Sequence, residues 1–236
     1  MSDKETKPGK TKVIRFALLL SVVCSLIITA SAVGLKELQE ANMALDKRVN
    51  ILKAVGLIKN KKPSKKDINA LYEAHIKEAM VDSQGKVIET YAPDALSLYF
   101  YQDEGRIKGY IIPINTRGLW GKIQGYLAFE NDGQTVSGFS VFSHSETPGL
   151  GGEIESAWFQ KNFKGKKILN SQDKFVSVGI AKGKAENLPK DLQSHYVDGI
   201  SGATLTGKYL SEGIKETLMK YDSVSISFRQ KDLKPQ

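Results

Sequence analysis

Residues 16–35 read FALLLSVVCSLIITASAVGL, twenty consecutive positions without a formal charge. As a helix this stretch would rise about 30 Å, the thickness of a bilayer's hydrocarbon core, while satisfying its own backbone in a medium that cannot. A cleaved secretion signal is the competing reading, because Ala30, Ser31 and Ala32 are small enough to precede a cleavage site. Signal cores, however, run only about 7–15 residues. This segment is longer and continues into KELQEANMALDKRVNILKAVGLI, where Leu38, Leu45, Val49, Leu52 and Val55 recur on one helical stripe. A lipoprotein signal would place small residues before Cys24, where Val22 and Val23 stand. The expectation is an uncleaved single-pass anchor.

Ahead of the span, Lys4, Lys7, Lys10, Lys12 and Arg15 outweigh Asp3 and Glu5 by three charges. The positive-inside bias then puts the N-terminus in the cytoplasm and the remainder outside, in the periplasm of a bacterium with an inner membrane. The expected division is a basic cytoplasmic tail over 1–15, a transmembrane helix over 16–35, a juxtamembrane helix and linker over 36–66, and an external domain over 67–236. The formal charge of the whole chain is +8, but beyond the tail the lysines mix with acidic residues, and no face gathers arginine with aromatics. That distribution argues against a nucleic-acid partner. Cys24 is the sole cysteine, so the external part carries no disulfide, no cysteine metal site and no thiol nucleophile.

The external pattern predicts an α+β domain around a mainly antiparallel sheet. Ser64 with Asp67 resembles a capping arrangement, and Ile68, Leu71, Tyr72, Ile76 and Ala79 follow helical spacing. GKVIETY reads as a strand. LSLYFYQDEGRIKGYIIPI reads as two strands around Asp103-Glu104-Gly105, and the next pair turns at Asn131-Asp132-Gly133. EIESAWFQKNF suggests a short helix, KFVSVGIAK a strand, Leu210, Ile214, Leu218 and Tyr221 a helix, and SVSISF a last strand.

Between those last elements lies HYVDGISGATLTGK, which sets Ser201, Thr204 and Thr206 around Gly202 and Ala203. Residues 202–208 match GxxxxGK, but Tyr209 stands where a nucleotide-binding loop needs Ser or Thr for magnesium. A hydrolytic nucleophile would need a base in reach, and no GxSxG or SxxK pattern uses these hydroxyls. The three histidines, His75, His144 and His195, have no metal-ligand spacing. A plain structural reading has Ser201 capping the final helix while Gly202 turns the chain. That helix end, with Thr204 in its first turn, would also suit a phosphate.

The segment DGISGAT, residues 198–204, is similar to the D-x-x-[ST]-G-A-[TS] flavinylation motif of membrane electron-transfer subunits, matching at Asp198, Ser201, Gly202, Ala203 and Thr204. HSETPGLGGEI (144–154) resembles the loop that lines the flavin in that family. AVGLKELQEAN, ILKAVGL and YIIPINTRGLWGKIQGYLA resemble the FMN-binding-domain subunit of Na+-translocating NADH:quinone reductases. The corresponding subunit of Rnf-type ferredoxin:NAD+ oxidoreductases shares the attachment motif and is the near alternative; a membrane-tethered adaptor without cofactor is the distant one. Gly207 and Lys208 depart from the family's usual continuation, and the linker near Lys61–Lys66 is short.

The resemblance implies covalent FMN, joined by a phosphoester to Thr204 and transferred from FAD by a separate flavin transferase that recognises Asp198 and Ser201. Gly202 would let backbone approach the phosphate. Leu150, between Gly149 and Gly151, would lie against the flavin ring, with Glu146 and Thr147 as neighbours. The chain would relay electrons from an iron–sulfur centre to a second flavin subunit on the way to ubiquinone, with sodium transport belonging to the assembled translocase and its other membrane subunits. Lacking a GxGxxG strand–helix unit and a cysteine cluster, the chain alone is not expected to oxidise NADH. No catalytic residue and no metal ligand is assigned.

Overall fold

A computed structural model of the chain describes residues 9–58, 63–89 and 92–231. It divides into two compact units, residues 1–44 and 45–236. The first holds most of a long helix, α1 (Lys10–Ala54), which is long and apolar enough to cross a membrane and is wholly exposed over its apolar window.

The second unit begins inside α1. Gly56, at a φ of +78°, ends that helix in a left-handed turn in which Leu57 N–H donates to the Leu52 carbonyl and Gly56 N–H to that of Lys53. The expected linker falls partly on residues 59–62, outside the described residues. Helix α2 (Lys65–His75) then starts on the expected capping box: the Ser64 hydroxyl accepts from Asp67 N–H, and the Asp67 carboxylate accepts from Ser64 N–H.

Six strands follow: β1 (Ile76–Val81), β2 (Val87–Ile88), β3 (Leu96–Asp103), β4 (Arg106–Arg117), β5 (Lys122–Glu130) and β6 (Val136–Ser143). They form one fully antiparallel sheet in the order β2-β1-β3-β4-β5-β6. Both hairpin turns expected from the sequence are present, with Glu104 and Gly105 both at positive φ. Ile76 and Ala79, expected on a helix, lie in β1 instead, where Ile76 pairs with Tyr101 and Ala79 with Leu98. Of the strand expected in GKVIETY only Val87–Ile88 is seen, and Thr90 and Tyr91 lie outside the described residues.

Both faces of the sheet are buried, which explains the near-continuous apolar runs. Leu98, Phe100, Tyr110, Ile112, Leu127 and Phe129 point into one core; Tyr99, Ile111, Tyr126 and Ala128, their alternate neighbours, point into the other. The second core is closed by α2 and by Ile51, Leu52, Ala54 and Ile58 of the juxtamembrane stretch. Leu45, Val49 and Val55 of the expected stripe pack there too.

The first core is closed by the C-terminal half. A 3-10 turn (Gly151–Glu155) leads into α3 (Ala157–Lys161). Of the strand expected over KFVSVGIAK (174–182), β7 (Gly179–Ile180) pairs in parallel with β8 (Tyr196–Val197), and Phe175 makes an isolated antiparallel bridge to Leu169. Between β7 and β8 stands α4 (Lys190–Gln193). Helix α5 (Thr204–Lys220) is the expected one and packs on β4 and β7. The expected last strand SVSISF is instead helix α6 (Asp222–Gln230). Its helical turn places Val224, Ser225 and Phe228 together, so that Phe228 stacks on Tyr110 with ring centroids 4.3 Å apart and the Ser225 hydroxyl donates to the Gly133 carbonyl.

Candidate functional site

Thr204 is the first residue of α5, and its side chain is exposed. Gly202 precedes it at a φ of +73°, the turn its sequence position suggested. Ser201 does not cap the helix, contrary to the structural reading of the motif. Ala203 occupies the cap position, and no side-chain oxygen bonds the first turn. A helix start without a capping side chain presents backbone N–H groups and partial positive charge to whatever stands before it. Residues 204–208 are helical, so the GxxxxGK match forms no phosphate-wrapping loop. Lys208 points outward toward Glu212, 3.9 Å away.

The loop 144–151 stands beside this turn although it is more than fifty residues away in sequence. A Cβ built on Gly202 would come within 2.8 Å of Leu150 Cδ2, so the leucine lies directly over the glycine. The loop is shaped by its own backbone: the Thr147 carbonyl accepts N–H groups from Leu150 and Gly152, and Gly149 takes a φ of +73°. Together the two segments and Leu119-Trp120 line a cavity of about 350 Å³ containing Glu146, Thr147, Leu150, Gly151 and residues 202–206. A second cavity of about 430 Å³ shares Ala203 and Thr204 as a wall and is bordered by Lys182, Lys208, Lys215 and Glu212. Thr204 therefore sits on the rim between two concave spaces, one of them faced with apolar surface and the other edged mostly by cations.

Glu146 is 4 % exposed, and its carboxylate is fully engaged. One oxygen accepts from the backbone N–H of Trp120 at 3.0 Å, the other from the Thr206 hydroxyl at 2.5 Å. Its own N–H donates to His144 Nδ1, which leaves the ring proton on Nε2, 3.3 Å from Glu155. Asp198 lies outside the cavity lining, and its carboxylate accepts the Ala185 N–H at 2.7 Å. Nearby, burial lowers the Lys166 ammonium from its ordinary value while Asp198 opposes the shift.

The structure thus brings together Glu146, Thr147, Leu150, Gly151, Gly202, Ala203 and Thr204, and leaves Ser201 and Asp198 on the approach to the helix. Sequence reasoning missed Leu119 and Trp120 as lining residues and left Thr206 without a role. The signal for Trp120 was its setting, R-G-L-W-G: a tryptophan between glycines in a tight connection, 70 % exposed in the fold. A large apolar ring held out at the mouth of a cavity is an ordinary wall for a planar ligand. The cavity size, the apolar walls of Leu119, Trp120, Leu150 and Leu205, and the helix end free of a capping side chain fit a flavin ring with a phosphate at Thr204.

Comparison with known proteins finds that residues 118–219 match the FMN-binding domain family. The NqrC subunit of the Na(+)-translocating NADH-quinone reductase of Vibrio alginolyticus is 32% identical over 225 residues, covering 84% of this chain and 84% of that protein. Its Pseudomonas aeruginosa counterpart is 32% identical over 231 residues, covering 84% and 87%. The crystal structure of the same subunit from Parabacteroides distasonis superposes with a TM-score of 0.70 at 30% identity, covering 81% of this chain and 96% of that one. That of Shewanella oneidensis NqrC gives 0.66 at 20% identity, a likeness of fold.

Proposed function

The chain belongs to the NqrC family of Na+-translocating NADH-quinone reductase subunits, and from that premise we propose that it is a membrane-anchored electron-transfer protein with FMN on Thr204. The observation that carries the reading is the exposed Thr204 hydroxyl at an end of α5 that no side chain caps, on the rim of the cavity under Leu150 and Trp120. The relatives' shared name favours the quinone reductase over the Rnf alternative.

When bound, FMN supplies one- and two-electron redox chemistry. The chain's own residues hold and orient it. The first turn of α5 offers N–H groups to the phosphate, and the helix dipole offsets its charge. Gly202 would admit a close approach, while Leu150, Leu119 and Trp120 would supply apolar walls for the ring. Attachment would exchange a phosphoanhydride for a phosphoester: the Thr204 Oγ–P bond forms, the pyrophosphate bond of FAD breaks, AMP leaves, and the hydroxyl proton goes to solvent or to the flavin transferase. A covalent tether suits a domain outside the cytoplasm, where a dissociated cofactor is diluted and binding falls with ligand concentration.

In this reading residues 16–35 cross the inner membrane with the N-terminus in the cytoplasm, and the second unit stands in the periplasm. The subunit takes electrons from an iron–sulfur centre and passes them to another flavin subunit, and sodium export belongs to the assembled complex. The test is expression of the full chain with a flavin transferase. The denatured wild-type band fluoresces under ultraviolet light and its mass rises by one FMN. Thr204→Ala loses both while its unfolding free energy in urea stays within about 0.5 kcal/mol of wild type, as expected for an exposed side chain. Fluorescence persisting in the variant would place the attachment elsewhere, and a wild type that never takes flavin would leave the adaptor reading.

A further inference from the structure

Glu146 is where the three segments lining the cavity meet. It belongs to the loop 144–151, one of its oxygens is bound by the loop that carries Trp120, and the other by Thr206 of α5. Two glycines make room for it. A Cβ on Gly118 would strike Glu146 Oε1, and a Cβ on Gly151 would stand 2.8 Å from Oε2 and 2.5 Å from the Thr206 hydroxyl. Resting on the reading that FMN occupies this cavity, we infer that Glu146 is a positioning residue with an electrostatic role: it assembles the cavity and holds it at negative potential, lowering the reduction potential of the flavin.

The hydrogen-bond partners accommodate an ionised carboxylate, with Trp120 N–H and the Thr206 hydroxyl each able to donate to one oxygen. Both donors are neutral, a backbone N–H and a hydroxyl. Among the described residues no lysine, arginine or histidine forms an ion pair with Glu146. The nearest histidine, His144, meets its backbone N–H through Nδ1 rather than its carboxylate. Neutral hydrogen bonds stabilise the charge without cancelling its field, and the field of a group 4 % exposed is weakly screened. Electrons entering a ring in the same cavity add negative charge beside it, so the carboxylate opposes reduction. Glutamine in this place keeps the shape but loses the charge, and it turns a donor toward either Trp120 N–H or Thr206.

The experiment is a spectroelectrochemical titration of the full-length flavinylated chain in detergent, with intact mass establishing FMN in each sample. Glu146→Gln is expected to favour reduction at least tenfold in the one-electron equilibrium, a rise of about 59 mV. Thr206→Val removes one donor but leaves the charge less offset, so its midpoint is expected below that of wild type. A midpoint for Glu146→Gln equal to wild type overturns the inference, and so does a rise in Thr206→Val as large as that in Glu146→Gln. If Glu146→Gln loads no flavin, the Thr206→Val midpoint decides alone: lower supports the role of the charge, and unchanged or raised overturns it. Wild type without FMN instead overturns the assignment of Thr204, on which the inference rests.

Discussion

In the proposed site Thr204 and Glu146 divide the work between an exposed hydroxyl, proposed to take the cofactor, and a buried carboxylate that ties the cavity's walls together. Gly151 connects them, since any side chain there intrudes on the hydrogen bond from Thr206 to Glu146. Gly151→Ala is therefore expected to destabilise the fold by about 1–3 kcal/mol, the cost of a buried polar group losing its partner, and to slow flavin loading. Urea unfolding and the rate of gain in fluorescence check this; an unchanged midpoint and rate would mean the contact is slack. The convergence of the two segments on one cavity was legible in the chain. The D-x-x-S-G-A-T spacing marked Thr204, and the glycines of ETPGLGG marked a loop built for close approach. The Glu146 clamp was not legible, because Thr206 and Trp120 lie sixty and twenty-six residues from it and only the fold brings them near.

At the scale of elements, local pattern and packing disagree most at the C-terminus. Val-Ser-Ile-Ser-Phe alternates like a strand, yet it is helical in α6, where a helical turn buries Val224 and Phe228 together. Phe228 fills the space between Tyr110 and Phe100, so Phe228→Ala is expected to cost about 3–5 kcal/mol, read as a fall in the urea midpoint. A loss under about 1 kcal/mol would contradict the packing of α6. The same tension explains β1: Ile76 and Ala79 continue the helical spacing of α2, but cross-strand pairing with β3 claims them. The hairpins, in contrast, were readable because turn chemistry and strand alternation agree there.

The whole domain is a sheet buried on both faces and studded with phenols. Burial pushes the hydroxyls of Tyr72, Tyr110, Tyr126 and Tyr221 well above their ordinary value of 10.0. A group whose folded pKa lies above its unfolded one contributes stability in full below the unfolded value and loses it as pH rises. The domain should accordingly hold its stability up to about pH 10 and lose it steeply beyond, with phenolate absorbance rising together with unfolding. Phenols titrating near pH 10 in an intact fold would contradict the burial of these rings. The double-sided burial itself was foreshadowed by runs such as GYIIPI, whereas the closing of the second core by residues 51–58 of the juxtamembrane stretch needed the structure. What Thr204 carries decides the function of the whole molecule. Peptide mass spectrometry of the protein purified from its own membranes is the most direct measure: the fragment spanning residues 198–208 is predicted to hold one FMN, localised by fragmentation to Thr204. Recovery of that fragment bare, or with the flavin on another residue, would contradict it.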